Sequence, residues 1–499
     1  MKFENKKIEE FYEYMSDMSK KAYSDPYLIS NDVLCKQDTR GKVLETYLAG
    51  KTLETGTLFI LRKTVFYFLK SLVVFPLYLG IATAHKFSGQ MFRLPEKGEF
   101  IVLDTYFLAR GILEQGKFKD TYFPGLVDEL VGRNKNYAYV PRLLGTLSPF
   151  KWFRIFRILR KNADPILIEF QLLKFVDYLD VFRFIFLYPF SVLRFDKKLT
   201  KSYKDEVLSG GLWHALDSVP FQGYIRFLVG KRLSLLKTEK IKCLSWYENQ
   251  IFDKNFFRGL RVIPGKADII GAQFFVKPHT LLNLFVDESE ILFNVVPDRI
   301  LVNGSGYLFK MKNTQVDVGP SLRYGYLFSA KVDPSEGEII LILLPSWGSV
   351  IRYILKVISK VNWPVPVEIK FHPGTEGSKY NQDRLKQFFV TDKTLLELLP
   401  KTRIVVGRSG GQLEAAALGI PVIDIHDPDE FSHSYMPETG KGILWDQAID
   451  AEGISRLVSQ FQKDLQSDSS LLREEGARLK SMYFSSPTKE FISEAFQLD

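Results

Sequence analysis

Cysteine is nearly absent: Cys35 and Cys243 are the only two among 499 residues, far apart and outside any C-x-x-C spacing. That excludes a disulfide framework and a cysteine zinc site, and it fits a reducing compartment. Residues Met1 to Lys20 have no apolar stretch of the kind that directs secretion, so the chain is expected to stay in the cytoplasm. No internal repeat and no low-complexity tract is visible. A clean membrane span is also missing. The strongest apolar run, Thr64 to Ala84, carries Lys70 near its middle and Pro76 just after, with basic residues at both ends. Three readings stay open for it: a helix pair dipping into one leaflet, a buried packing helix, or a true span.

What is present is bulk and aromatic surface. The chain is 46% hydrophobic and 14% aromatic, with 41 Phe and 23 Tyr. It is long enough for two domains of roughly 200 residues each plus an extension, which excludes a small binding module and global disorder. Lys and Arg exceed Asp and Glu by 67 to 58, for a net charge of +9. Most of that surplus lies in Lys151 to Lys201, with eleven basic residues against five acids. There Trp152, Ile155, Phe156 and Leu159 fall on one helical face, opposite Arg154, Arg157, Arg160 and Lys161. The helix is either interfacial on anionic lipid or a core helix with a solvated basic face. No nucleic-acid-binding signature accompanies the charge, so nucleic acid is not an expected partner.

Residues 1–95 read as a helical N-terminal extension that touches a membrane in two of the three readings above. From 96 to 330, apolar runs alternate with helical segments: 100–104, 137–140, 165–169, 241–246, 267–271 and 299–302 read as buried strands, with helices such as 122–131 and 252–260 between them. A second series fills 331–499, with strands at 338–344, 365–371, 403–406 and 420–425. Its helices are expected at 349–361, 394–399, 412–418 and from 452 onward. The alternation predicts an α/β protein of two tandem, doubly wound, Rossmann-like domains facing one ligand cleft.

Two segments carry chemistry. In Val406-Gly-Arg-Ser-Gly-Gly-Gln-Leu-Glu-Ala-Ala-Ala-Leu-Gly-Ile-Pro-Val422 a strand ends in the turn Ser409-Gly410-Gly411 and a helix opens at once. Backbone N–H groups there suit a phosphate, and Glu414 in the first helical turn suits ribose hydroxyls. In Glu368-Ile-Lys-Phe-His-Pro-Gly374, His372 follows directly on a strand with Lys370 on the same face, a pairing able to clamp a phosphate and protonate a leaving group. Each segment has a plainer reading as a tight connection or a structural histidine. Three acids sit at expected strand ends of the first domain: Asp104, Glu169 and Glu248. Of these Asp104 and Glu248 are favoured as the reacting carboxylate.

K-x-H-P followed by S-x-x-x-x-E-A-x-x-x-G-x-P-V resembles the nucleotide-binding half of GT-B glycosyltransferases of bacterial surface-polysaccharide assembly. The likeness is nearest to CMP-sugar users such as capsule Kdo transferases and bacterial sialyltransferases, with teichoic-acid glycerophosphotransferases further off. It covers about 330–460 well and 241–325 more weakly, through Trp246-Tyr-Glu-Asn-Gln250, Ile270-Gly-Ala-Gln273 and Pro297 to Gly304. Where many relatives have Gln-His, this chain has Gln273-Phe274. The resemblance implies donor binding by Lys370, His372, Ser409, Gly410, Gly411 and Glu414, with Asp104, Glu248 and His372 as catalytic candidates. It implies a nucleotide-sugar as substrate, not a cofactor, and a glycan or lipid-linked glycan as acceptor. The enzyme would work at the inner face of the cell membrane. With no D-x-D at a strand end and no His/Cys cluster, metal-independent transfer is expected. Polyol-phosphate transfer on the same scaffold, and a degenerate assembly factor for a polysaccharide complex, are the alternatives.

Overall fold

The computed structural model describes residues 6–37, 42–89, 92–217, 219–278, 280–375, 377–380, 385–429, 431 and 433–499. Its strands are β1 (Glu99–Asp104), β2 (Tyr106–Leu108), β3 (Tyr137–Tyr139), β4 (Arg142–Leu144), β5 (Lys240–Trp246), β6 (Ala267–Gln273), β7 (Arg299–Val302) and β8 (Gln315–Val318) in the first half. The second half adds β9 (Ile339–Leu343), β10 (Val367–Lys370), β11 (Phe389–Val390), β12 (Thr402–Gly407), β13 (Val422–Ile425) and β14 (Trp445–Ala448). They form two six-stranded sheets, ordered β3-β1-β5-β6-β7-β8 and β11-β10-β9-β12-β13-β14, with every pairing parallel.

Strands covered by helices on both faces need apolar residues throughout, and β9, Ile-Ile-Leu-Ile-Leu, is buried along its whole length. The strand order of each sheet reverses once. The reversal lies between β1 and β5 in the first sheet and between β9 and β12 in the second. At such points the connections leave on opposite faces and open a crevice at the carboxyl ends, where ligands of doubly wound sheets bind. Two tandem Rossmann-like sheets with a helical N-terminal region are therefore present, as the alternation predicts.

Local departures have local causes. Pro165–Glu169 is not a strand. It makes one bridge, Ile166 to Tyr139, and Glu169 opens the short helix Glu169–Leu172. Edge strands β8, β11 and β14 are short and partly polar, and so lack a buried-strand signature.

The N-terminal helical region packs on the first sheet's helices. Helix Lys6–Ala22 buries Ile8, Phe11, Met15 and Met18. Lys36 and Lys254 both reach Glu290 at 2.8 Å, with all three side chains inaccessible to solvent. Burial alone would raise the Glu290 carboxyl, but the two ammonium groups prevail and hold it at about 2. This triad pins the extension to helix Ile251–Leu260, directly behind the loop that carries Glu248.

Helix Thr57–Ser88, 32 residues long, is apolar enough to cross a membrane by length and composition. One stripe, including Tyr67, Ser71, Val74, Phe75, Tyr78, Ile81 and His85, is buried against the protein. Mid-helix Lys70 is accounted for by an ion pair with Asp217 at 2.6 Å. The opposite face shows Leu58, Leu61, Phe66, Leu69, Leu72 and Val73 exposed. Beside it, helix Phe175–Asp196 exposes Phe175, Leu179, Phe182, Phe186 and Phe190, and Phe68 meets Phe186 at 5.7 Å between ring centroids. In helix Pro149–Leu159 the apolar face is internal: Trp152, Ile155, Phe156 and Leu159 are all buried, while Arg154, Arg157, Arg160 and Lys161 face solvent. The apolar face of this helix is therefore internal and its basic face points outward.

Candidate functional site

The second half contributes its side of the crevice from β10 and β12. After β10, His372 is exposed and its Nδ1 accepts a hydrogen bond from the Gly374 N–H at 3.1 Å, which leaves the ring proton on Nε2. Desolvation first, and the Arg323 guanidinium second, lower its pKa, so the ring is neutral near pH 7 and presents an N–H donor. Lys370 does not share this position. Its ammonium donates to the Lys393 carbonyl at 2.6 Å and ties the chain after β11 to β10. That bond uses one of the three ammonium N–H donors of Lys370, while Arg323 is the cation whose charge acts on His372.

At the end of β12 the strand-turn-helix connection is present, and helix Gly411–Ala416 has six residues. The Ser409 N–H is already taken by Gln412 Oε1 at 2.9 Å, and Gln412 Nε2 donates to the carbonyls of Gly407 and Ile423. Gln412 thus fixes the shape of the turn, while Ser409 and Gly410 remain partly accessible. The glycines matter for packing: a Cβ on Gly411 would lie 2.8 Å from Leu395 and 2.9 Å from Leu343. The residue whose backbone requires glycine is Gly407, with φ of +146° and space for a Cβ only 2.1 Å from the Leu343 carbonyl oxygen. Below the turn, Arg408 is buried on Asp424 at 3.1 Å and on the carbonyls of Ile425 and His433. It holds the loop that carries His433, whose Nδ1 meets Thr280 of the first half at 2.7 Å.

Glu414 is bonded by the Tyr326 hydroxyl, and burial raises its carboxyl pKa against the opposing pull of that bond and of Arg323. Tyr326 and Arg323 lie in the segment Leu322–Phe328, which joins the two halves. Arg323 stacks its guanidinium over Trp246 at 5.3 Å and Tyr122 at 5.6 Å. It is close enough to Glu248, His372 and Glu414 to act on the charge of each. One arginine therefore senses acidic and basic groups from both sheets.

The first half brings Glu248, two residues past β5. Its carboxylate accepts from Trp246 Nε1 at 2.8 Å and Gln250 Nε2 at 2.6 Å. Burial raises its pKa most; Trp246's hydrogen bond, Arg142 and Arg323 oppose this, and Asp253 adds to it. A partly accessible carboxyl with a raised pKa at a crevice is suited to taking a proton from an alcohol.

Asp104 has a different place. It is fully buried, with Oδ2 2.5 Å from Arg142 and Oδ1 2.7 Å from Arg226. Burial would raise its pKa, but the two arginines outweigh that and lower it. Arg142 also bonds Asp253 at 2.5 Å, and Asp253 Oδ2 accepts from the backbone N–H groups of Glu248 and Gln250. Asp104 thus acts through Arg142 and Asp253 on the loop that aims Glu248. This corrects the expectation that Asp104 reacts: its oxygens are occupied, so it is a positioning residue. Glu169, the third acid, is buried on the Tyr78 hydroxyl at 2.6 Å.

Sequence reasoning missed Arg323 and Arg142. A lone arginine in a linker has no pattern to mark it. Arg142 follows the strand run at 137–140 by two residues and reads as a surface charge until its acids are placed around it.

No protein-family profile matches the chain, and no curated protein matches it. Among solved structures it is similar to CalG4, the calicheamicin glycosyltransferase (12% identity, 81% of this chain, 98% of that one, TM-score 0.42). It is also similar to UDP-GlcNAc 2-epimerase from Neisseria meningitidis bound to UDP-GlcNAc (12%, 80% and 100%, TM-score 0.44), and to the wall teichoic acid polymerase TagF (9%, 89% and 97%, TM-score 0.38). Those names cover three different reactions, so the shared fold does not fix the chemistry of this chain.

Proposed function

We propose that the chain is a glycosyltransferase that moves a sugar from a nucleotide-sugar to a membrane-borne glycan or lipid-linked acceptor. The observation that carries the reading is Arg323, stacked on Trp246 and Tyr122 of the first half, whose charge acts on Glu248 of that half and on His372 and Glu414 of the other. In this reading Glu414 holds the ribose. The turn at Ser409, Gly410 and Gly411, with His372 Nε2–H and Arg323, receives the donor phosphate. Glu248 removes the acceptor hydroxyl's proton as that oxygen bonds the sugar's anomeric carbon and the bond from this carbon to the nucleotide's phosphate oxygen breaks. The bonding electrons leave with the phosphate oxygen, where Arg323 and His372 stabilise the charge, so transfer is metal-independent.

The test is product analysis after incubation with nucleotide-sugars and membrane lipid extract. Release of nucleotide together with a new glycoside supports the reading. A phosphodiester product with CMP supports polyol-phosphate transfer instead, and nucleotide binding without release supports an assembly role.

Two features support work at an anionic bilayer: the adjoining apolar faces of helices Thr57–Ser88 and Phe175–Asp196, and the basic outer face of Pro149–Leu159. Exposed apolar surface of this extent marks a contact site, and basic residues beside it suit anionic headgroups. Leu72→Asp and Phe182→Asp are each expected to weaken binding to anionic vesicles about tenfold or more, since burying such a side chain is worth about 1.5–3 kcal/mol. Neutralising Arg154 and Arg157 should lower only the salt-sensitive part. Vesicle sedimentation at two salt concentrations reads both, and unchanged binding in the aspartate variants would place the bilayer elsewhere.

A further inference from the structure

Beside the Glu248 loop, on the side facing the exposed helices, lies a pocket of about 610 Å³, its open mouth included. Its walls are largely apolar, with Ile81, Leu144, Leu147, Trp152, Phe170 and Ile225. Ile81 comes from helix Thr57–Ser88, and at the rim Leu147 and the neighbouring Phe150 are exposed. The pocket thus runs from the apolar outer face of the molecule toward the carboxyl end of β1.

At the inner end stand two buried arginines. Arg142 is fully used: its Nε, Nη1 and Nη2 donate to Asp104, Tyr106, Asp253, Ser245 and the Trp246 carbonyl. Arg226 is not. Its Nη2 donates to Asp104, its guanidinium lies 4.0 Å over the Phe256 ring, and its Nε and Nη1 are buried with no hydrogen-bond partner among the described residues. Unmet donors on a buried guanidinium are costly, and they call for an acceptor brought in from outside. The charges of Arg142 and Arg226 formally balance those of Asp104 and Asp253, while burial raises the pKa of Glu169 on the pocket wall against the opposing pull of the Tyr78 hydrogen bond and of Arg226. Helix Pro149–Leu159, which supplies Trp152, adds Lys151, Arg154 and Arg157 and no acid. A negatively charged oxygen is the strongest partner of a guanidinium.

We infer that this pocket binds an amphiphile whose phosphoryl head takes the free donors of Arg226 and whose hydrocarbon chain lies along Ile81, Leu147, Trp152 and Phe170. The ligand class is a lipid phosphate, entering from the bilayer side. The inference deepens the acceptor side of the proposed glycosyl transfer and rests on that reading for its role. Binding itself is separable, because the nucleotide site lies on the other sheet.

The experiment is calorimetric titration of the full chain with dodecyl phosphate below its micelle concentration. Parallel titrations use dodecyl maltoside, dodecanol and inorganic phosphate, and CMP and UDP are titrated into the same preparations. One dodecyl phosphate per chain is expected, with at least tenfold weaker binding of the two neutral amphiphiles and of inorganic phosphate. Arg226→Gln should weaken dodecyl phosphate at least tenfold. Because that change also touches Asp104, Leu147→Trp serves as a second variant: it fills the mouth from a partly exposed position and should weaken dodecyl phosphate while leaving nucleotide binding unchanged. Equal binding of the neutral amphiphiles, binding indifferent to both variants, or no binding of dodecyl phosphate overturns the inference. Loss of nucleotide binding with dodecyl phosphate retained overturns the donor-site reading and leaves the pocket standing.

Discussion

Glu248→Gln is expected to lower turnover by about 10²–10⁴-fold, the usual worth of a positioned general base, with nucleotide affinity and thermal stability close to wild type. Glutamine keeps the size of the side chain and can still accept from Trp246 Nε1, so the loop should hold its shape. The pH profile gives the sign. Burial raises the Glu248 pKa, and the ionised form is the active one, so the rate should fall as pH drops through a value above the ordinary carboxylate range. In the glutamine variant that acid limb should vanish. Asp104→Asn is the contrasting case. It leaves Arg142 and Arg226 buried beside a neutral group, and breaking a buried pair of this kind costs about 3–5 kcal/mol of stability. A large loss of melting temperature in Asp104→Asn, and little in Glu248→Gln, separates positioning from reaction; the reverse pattern contradicts the assignment.

Arg323→Ala is expected to cost about 10²–10³-fold in turnover, comparable to removing one preorganised donor from a developing oxyanion. It should also shift two titrations in the same direction. Arg323 lowers the pKa of both Glu248 and His372, so its removal should raise both. The acid limb of the rate profile should therefore move to higher pH, an effect that a purely structural role would not produce. Arg323→Lys keeps the charge without the planar stacking on Trp246 and Tyr122, and should restore the pH profile more fully than the rate. An unmoved profile in the alanine variant contradicts the placement of Arg323 in the site.

The two sheets were legible because parallel strands buried on both faces need unbroken apolar runs, as in 338–344 and 420–425, and because turn residues punctuate them. The places of the Ser409 turn and His372 were legible for a related reason: they follow directly on such strands, and Glu414 lies in the helix that the turn opens. What the sequence could not reveal was pairing over distance. Asp104 and Glu248 look alike as acids after strands, and only the arrival of Arg142 from thirty-eight positions away and Arg226 from one hundred and twenty-two away tells them apart. Lys370 looks like a free cation until the Lys393 carbonyl is found on one of its three N–H donors. The helix Pro149–Leu159 shows the same limit: its period fixes an apolar face, and its neighbour, helix Thr57–Ser88, decides that this face is internal.

The central claim is that the crevice between the two sheets holds a nucleotide through residues of both halves. Its most direct test is calorimetric titration of CMP, CDP, UDP and GDP into wild type, His372→Ala and Arg323→Ala. The account predicts that at least one nucleotide binds wild type at one site per chain and that both variants, folded as judged by circular dichroism, weaken it at least tenfold. No binding by any of the four, or binding unaffected by both substitutions, would contradict it.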